Sequence, residues 1–315
     1  MGKILITPRG YAKYGDEAGK RLEELGYELN VNRSGLPLSR EQFVESAKEA
    51  TGIIVGVDEC DEALLKQCKD LKAIVKFGVG VDNIDLDAAK ALDISVGRCV
   101  GTNSNAVAEY TIGLMFAASR HIVAAGCDVR SGGWKKPTGV ELYGKTVGII
   151  GFGNIGKHVA RIANGIGMKV LVYDVFDIKQ EDLDTYNAKS TNVEDIIVNS
   201  DFITLHVPLN DETKNMISTK EFRQMKKSAC VINAARGGVV DEKALYEALK
   251  NGDIFASASD VFTSEPPERT DWVNELIAMD NFILTPHIGS RSEESEINTV
   301  NKATDIMIEL LENHD

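Results

Sequence analysis

Short apolar runs and amphipathic helical segments alternate along the chain. In the first hundred residues, runs rich in Val, Ile and Leu predict strands at 3–7, 27–31, 52–57, 73–77 and 94–97. The segments between them have helical periodicity and predict helices at 16–25, 39–50, 61–68 and 84–91. Because strands and helices alternate, we expect a parallel, doubly wound sheet.

The same alternation returns after residue 145. The predicted strands are 147–150, 169–173, 202–206, 229–234, 256–259 and 282–285, and the predicted helices are 154–165, 193–199, 219–225, 242–251 and 272–278. Between the two series, residues 104–130 have a long apolar helical pattern. We expect this segment to link two domains and to form a subunit interface, with core packing inside one chain as the alternative.

A glycine-rich motif opens the second series. Gly151, Gly153 and Gly156 form G-x-G-x-x-G between a predicted strand and a predicted helix, where they allow a tight turn, close approach of a diphosphate and helix–strand packing. Asp174 ends the next strand at about the 20-residue spacing of a ribose-binding acid. No Arg follows at 175–177 to accept a 2′-phosphate, so we expect NAD rather than NADP. The alternatives are a purely structural turn and a solvated acid.

These patterns predict an α/β fold with two doubly wound parallel-sheet domains. A Rossmann NAD-binding domain at 101–288 is inserted into a flavodoxin-like substrate-binding domain, whose two parts are 1–100 and 289–315. The second part is the helix predicted at 292–311, which has no strand after it and is expected to return to the first domain.

Composition excludes several classes of partner. The net charge of −13 argues against nucleic acid and anionic membranes, although local cations can still bind an anionic substrate. The five cysteines are scattered without metal-binding spacing, so we expect reduced thiols, no metal and a cytoplasmic protein. No apolar run is long enough for a membrane span, and the N-terminus is typical of a strand rather than a signal peptide.

Three reactive side chains follow predicted strands of the second series. Arg236 precedes two glycines and is suited to bind a carboxylate bidentately. Glu265 and His287 follow the next two strands and would supply an oriented acid/base, as oxidation of a 2-hydroxy acid requires. Taken singly, each has a plain alternative as a surface charge or a loop side chain, and the sequence alone does not show that they converge.

The first domain has one further candidate, a glycine-rich stretch at 76–83. Gly78 and Gly80 could expose backbone N–H groups to a carboxylate beyond the end of a strand, and Lys76 adds a positive charge. The alternative is a glycine-rich turn that binds nothing.

The chain resembles the D-isomer-specific 2-hydroxyacid dehydrogenase family over nearly its whole length. The resemblance lies in separated motifs that occur in the family's order, at residues 77–85, 103–109, 142–156, 206–209, 231–241, 259–267 and 286–289. It implies that Arg236 binds the substrate carboxylate, that His287 is the acid/base and that Glu265 hydrogen-bonds His287. It also implies a homodimer that uses the region around 104–145.

The resemblance assigns further binding residues. The implied substrate contacts are Lys76, Gly78, Val79, Arg236 and His287. The implied NAD contacts are Gly151, Gly153, Asn154, Ile155, Gly156, Asp174, His206, Val207, Pro208, Ala234, Ala235, Arg236, Asp260, His287 and Gly289. Among these, Asn154 and Ile155 would bind the diphosphate through their amides, and Asp260 would contact the nicotinamide carboxamide.

Within the family, the stretches at 76–85, 134–136 and 139–145 are most similar to phosphoglycerate dehydrogenases. This likeness implies oxidation of D-3-phosphoglycerate in serine synthesis, without effector control through a C-terminal regulatory domain. Lys76 stands where an Arg is common, and Arg291 is a possible additional anion contact. The alternatives are a glyoxylate/hydroxypyruvate reductase or another small 2-oxoacid reductase and, outside enzymes, a non-catalytic NAD-sensing binding protein.

Overall fold

A computed structural model describes residues 2–314, which form two compact units. The first unit contains residues 2–103 and 291–314, and the second runs from Ser104 to Ser290. These bounds differ by two or three residues from the domain boundaries expected from the sequence. Both sheets are entirely parallel, so the predicted α/β class is confirmed.

The first unit is built on a five-stranded sheet. Its strands and helices are β1 (Lys3–Ile6), α1 (Arg9–Tyr14), α2 (Asp16–Glu24), β2 (Glu28–Val31), α3 (Arg40–Lys48), β3 (Gly52–Val55), α4 (Glu62–Leu65), β4 (Ala73–Lys76), α5 (Leu86–Ala91) and β5 (Ser95–Arg98). The strand order is β2-β1-β3-β4-β5. Helix α1 was not predicted, because it has only six residues and no side-chain cap.

The second unit is built on a seven-stranded sheet. Its elements are α6 (Ser104–Ser119), α7 (Ile122–Arg130), β6 (Thr146–Ile150), α8 (Asn154–Gly165), β7 (Lys169–Tyr173), α9 (Gln180–Thr185), β8 (Ala188–Ser190), α10 (Val193–Asn199), β9 (Phe202–Leu205), α11 (Thr219–Gln224), β10 (Cys230–Asn233), α12 (Glu242–Asn251), β11 (Ala256–Ser259), α13 (Asp271–Ala278) and β12 (Phe282–Leu284). The strand order is β12-β11-β10-β9-β6-β7-β8. The sequence missed β8, since a three-residue polar edge strand carries no apolar signal.

Helices cover both faces of this second sheet. Successive residues of β6 therefore enter different cores: Ile149 packs in the cluster with Phe202, and Ile150 packs in the cluster with Leu205. Because the central strands are buried on both faces, their sequences are continuous apolar runs and do not alternate between apolar and polar residues.

The single helix predicted over 104–130 is two helices in the structure. The chain turns at His121, which has a φ of +53°, and the axes of α6 and α7 differ by 63°. Helix α6 is largely buried, whereas no residue of α7 is buried. Among residues 2–314 no single helix has the length and apolar composition to cross a membrane, and one bent pair, α6 with α7, meets those two criteria together.

The last helix, α14 (Glu293–Glu312), packs on the first unit. Ser292 caps its N-terminus, and Val300 and Met307 lie in one core with β1. Gly52 lets the helix approach β3 closely, since a Cβ there would lie 2.7 Å from the Met307 sulfur.

Candidate active site

Six neighbouring strands of the second sheet end at the edge where the predicted site residues lie. Because β12, β11, β10, β9, β6 and β7 are parallel, their carboxyl ends share one edge. From this edge emerge the loops with Asp174, the glycine motif, His206, Arg236, Glu265 and His287. Val207 and Pro208 follow β9, Ala234 and Ala235 follow β10, and Gly289 follows β12.

The glycine motif makes a turn that only glycine allows. Gly151 has a φ of +97°, and a Cβ there would lie 2.6 Å from the carbonyl oxygen of His206. A Cβ on Gly156 would lie 2.2 Å from the Gly151 carbonyl oxygen, which keeps α8 close to β6. Gly153 meets open space instead, so its backbone is accessible at the start of α8. Backbone N–H groups at the start of a twelve-residue helix suit a diphosphate.

Asp174 links the glycine loop to the loop after β7. One carboxylate oxygen accepts from the Phe152 N–H at 2.6 Å and the other accepts from the Phe176 N–H at 3.0 Å. Each oxygen keeps a lone pair that can accept from a ribose hydroxyl. The chain thus holds this carboxylate at the end of β7, where a doubly wound fold is expected to carry a ribose-binding acid.

His206 is a neutral histidine at the same edge. Its Nε2 lies 3.0 Å from the Thr204 hydroxyl, and its Nδ1 is enclosed without a hydrogen-bond partner in the described structure. Burial lowers the pKa of His206 to about 3. An orphaned ring nitrogen beside the glycine turn is consistent with a polar ligand here, and the sequence likeness assigns this residue to NAD.

The loop after β10 is built around Asn233. Its amide donates to the Arg236 carbonyl oxygen at 2.9 Å, and its Oδ1 accepts from the Ala235 N–H at 3.1 Å. Gly237 brings this loop against the loop after β11, since a Cβ there would lie 2.1 Å from the Phe262 carbonyl oxygen. The guanidinium of Arg236 donates to the Ala235 carbonyl oxygen at 2.7 Å.

Glu265 and His287 are in direct contact. The Oε2 of Glu265 lies 2.8 Å from the Nδ1 of His287, and the two side chains remain 40% and 47% exposed. Burial alone would raise the pKa of Glu265. The net effect lowers that pKa, because the carboxylate accepts a hydrogen bond from His287 and another from the Phe262 N–H, and lies near the charges of His287 and Arg236. Because Nδ1 is occupied, Nε2 of His287 is the nitrogen left for proton exchange with a substrate.

The turn that carries His287 also depends on Thr285, a residue to which the sequence assigned no role. Asp260 was expected to contact nicotinamide, and its side chain also accepts from the Thr285 hydroxyl at 2.7 Å and from two amides of this turn. The ring of Tyr110 in α6 also lies against this turn, 3.3 Å from where a Cβ on Gly289 would stand. The only available signal was that Thr285 directly precedes the Pro-His motif.

Lys76, Gly78, Val79 and Arg291 belong to the first unit, whereas the residues described above belong to the second. The ammonium of Lys76 donates to the Gly56 carbonyl oxygen and to Asn83 Oδ1, each at 2.5 Å. The Gly78 N–H donates to the Lys76 carbonyl oxygen at 2.9 Å. The guanidinium of Arg291 lies 3.5 Å from the carboxylate of Glu296 in α14.

The chain is similar to known proteins of one enzyme family. Residues 112–289 match the family model described as "D-isomer specific 2-hydroxyacid dehydrogenase, NAD binding domain". The chain is 41% identical over 300 residues to D-3-phosphoglycerate dehydrogenase of Methanocaldococcus jannaschii, which covers 94% of this chain but 55% of that protein. It is 36% identical to hydroxypyruvate reductase of Thermotoga maritima, covering 90% of this chain and 94% of that protein.

A solved structure of D-lactate dehydrogenase with NAD+ from Lactobacillus jensenii superposes with a TM-score of 0.80 at 30% identity, covering 99% of this chain and 97% of that one. The chain thus spans about half the length of its phosphoglycerate dehydrogenase relatives and nearly all of the reductase and lactate dehydrogenase. NAD is the cofactor that the matched domain binds. This chain belongs to the D-isomer-specific 2-hydroxyacid dehydrogenase family and carries that family's NAD-binding domain.

Proposed function

We propose that this protein is an NAD-dependent oxidoreductase that interconverts a D-2-hydroxy acid and its 2-oxo acid. The observation that carries the proposal is the 2.8 Å contact between Glu265 and His287, one strand end away from Arg236. An acid/base held by a carboxylate beside a guanidinium matches the needs of a substrate with a hydroxyl and a neighbouring carboxylate.

Each of the three residues has one task in this proposal. Arg236 binds the substrate carboxylate and fixes the orientation of C2. His287 takes the hydroxyl proton on Nε2 during oxidation and returns a proton during reduction, while Glu265 keeps Nδ1 engaged and the ring oriented. The nicotinamide of bound NAD supplies the hydride acceptor.

For the substrate, we propose D-3-phosphoglycerate. The support is the identity with phosphoglycerate dehydrogenases, with Lys76 as the proposed phosphate contact and the amides of Gly78 and Val79 as further substrate contacts. The second candidate is reduction of hydroxypyruvate or glyoxylate. It is favoured by the two acceptors that already bind the Lys76 ammonium, because a substrate phosphate would have to compete with them.

The deciding assay compares NADH formation from D-3-phosphoglycerate at alkaline pH with NADH consumption by hydroxypyruvate and by glyoxylate. A higher kcat/KM for the phosphorylated acid supports the first candidate, and a higher value for a small oxo acid supports the second. Arg236→Ala and His287→Gln should each lose most of the turnover while they still bind NADH. Tight NADH binding without turnover of any of these acids by the wild type would favour the NAD-sensing alternative.

We also propose a homodimer that uses α7. Ile122, Val123 and Val129 of this helix are 56%, 46% and 50% exposed, which is unusual for three large apolar residues on one short helix. Replacing Val123 and Val129 with Glu should convert the dimer to a monomer in sedimentation. The same pair of substitutions at Val175 and Val198, which are exposed elsewhere on the second unit, is the matched control.

A further inference from the structure

Asp260 binds three consecutive backbone amides of the turn that carries His287. Its carbonyl oxygen accepts from the His287 N–H at 2.8 Å, its Oδ1 from Ile288 at 2.9 Å and its Oδ2 from Gly289 at 2.7 Å. Asp260 is only 2% exposed, and its buried side-chain oxygens accept from N–H and O–H groups of the turn. Asp260, the residue that directly follows β11, therefore holds the backbone of the loop after β12 in place.

The backbone of His287 needs such support. Its φ is +53°, a left-handed conformation that a residue with a Cβ adopts only when its surroundings enforce it. Packing cannot enforce it here, because the side chain is 47% exposed. The orientation of the imidazole toward Glu265 therefore depends on the hydrogen bonds made by the turn.

Thr285 and Tyr110 complete the surroundings of this turn. The Thr285 hydroxyl donates to Asp260 Oδ1 at 2.7 Å. The ring of Tyr110 in α6 lies against the turn, since a Cβ on Gly289 would lie 3.3 Å from its Cδ1. Hydrogen bonds that end on a buried carboxylate reinforce one another.

We propose that Asp260 and Thr285 are positioning residues that hold the His287 turn in the geometry for proton transfer. This inference rests on the proposed function, in which His287 is the acid/base. It adds a task to Asp260, which the sequence likeness assigns to the nicotinamide carboxamide. A substitution at Thr285 can separate these two tasks of Asp260, because the sequence likeness assigns no cofactor contact to Thr285.

The test compares Thr285→Val, which removes the hydroxyl at nearly constant volume, with Thr285→Ser, which restores it. Thr111→Val is the control, because the Thr111 hydroxyl is also buried but, within residues 2–314, bonds to no group other than the Val107 carbonyl oxygen of its own helix. For the valine variant at 285 we expect kcat to fall about ten- to a hundredfold, as for a small misplacement of a catalytic group. NADH affinity and substrate KM should change by less than about twofold, and the serine variant should recover most of the kcat.

A kcat for Thr285→Val equal to that of Thr111→Val would overturn the proposal. So would a loss of kcat matched by an equal loss of NADH affinity, which would mean that the network acts on the cofactor. A second readout does not need turnover: the ring-proton NMR signal of His287, assigned by its loss in His287→Gln, should broaden or split in Thr285→Val and not in Thr111→Val. If the wild type turns over no 2-hydroxy acid, the proposed function fails, and this signal still decides whether the network positions the ring.

Discussion

Replacing Glu265 with Gln tests whether the carboxylate charge contributes to catalysis beyond its hydrogen bond. The side-chain oxygen of Gln can still accept from Nδ1 of His287 at the observed 2.8 Å, so the geometry is conserved and the charge is lost. Replacement with Ala removes the charge and the bond together. The two variants therefore separate the electrostatic and the orienting contributions of one side chain.

The structure limits the size of the electrostatic effect. Because Glu265 and His287 are 40% and 47% exposed, solvent screens their attraction and the large values of a dry interior do not apply. Hydrogen bonds to charged groups contribute about 1.5–3 kcal/mol, and an exposed pair belongs at the low end. We expect kcat/KM to fall about tenfold in Glu265→Gln, from a loss of about 1.4 kcal/mol, and about a hundredfold in Glu265→Ala.

The assay is steady-state reduction of the preferred 2-oxo acid, with NADH affinity measured separately by fluorescence. Glu275→Gln is the control, since its carboxylate is also exposed and hydrogen-bonded, to Tyr246 and Lys250, in the same unit. The reasoning is refuted if Glu265→Gln retains the kcat/KM of that control. It is also refuted if the loss lies entirely in NADH affinity, because the charge is proposed to act on the imidazole.

Three further predictions follow from other contacts. The folded pKa of His206 is about 3 against an ordinary 6.5, so the unfolded chain takes up a proton that the native state does not. The free energy of unfolding, measured in urea, should therefore fall as the pH falls from 6.5 toward 3, and it should fall less steeply in His206→Gln. Equal slopes of unfolding free energy against pH in the two proteins would contradict the burial of this ring. Gly156→Ala should reduce the melting temperature, because its Cβ would clash with the Gly151 carbonyl oxygen. In Gly153→Ala the added Cβ would meet no protein atom, so this variant should weaken NADH binding at an unchanged melting temperature. Lys76→Met should raise KM for D-3-phosphoglycerate at least tenfold more than KM for glyoxylate if the phosphate contact is correct, and equal changes would favour the reductase.

The sequence predicted the features of this molecule that are local. The glycine motif, the strands that flank it and Asp174 lie within one strand–helix–strand unit, so their spacing alone specifies the turn. The α/β class and NAD as the cofactor were predicted from that unit, and they are confirmed by the parallel sheets and by the family match. The break between α6 and α7 was missed, because the left-handed residue there is His121 and no Gly or Pro marks the turn.

The approach of Glu265 to His287 is not a local feature. The two residues lie 22 positions apart, and only the pairing of β11 with β12 brings their loops together. Neither that pairing nor its register could be predicted from the sequence, although parallel strands made a shared edge the natural expectation. The catalytic roles of both residues stay predictions, to be tested by the variants above.

Asp260 shows that a role assigned by sequence likeness need not be the only role of a residue. A sequence motif assigns one role to one residue, but a carboxylate has two oxygens and several lone pairs, and its backbone carbonyl is a further acceptor. Here three of those acceptors bind the amides of 287–289 and one also binds Thr285, so a substitution at Asp260 would disturb the turn and any cofactor contact together. A large loss of activity in an Asp260 variant would therefore not identify a nicotinamide contact. Only a change at Thr285, which reaches the turn through Asp260 without an assigned cofactor contact, separates the two roles.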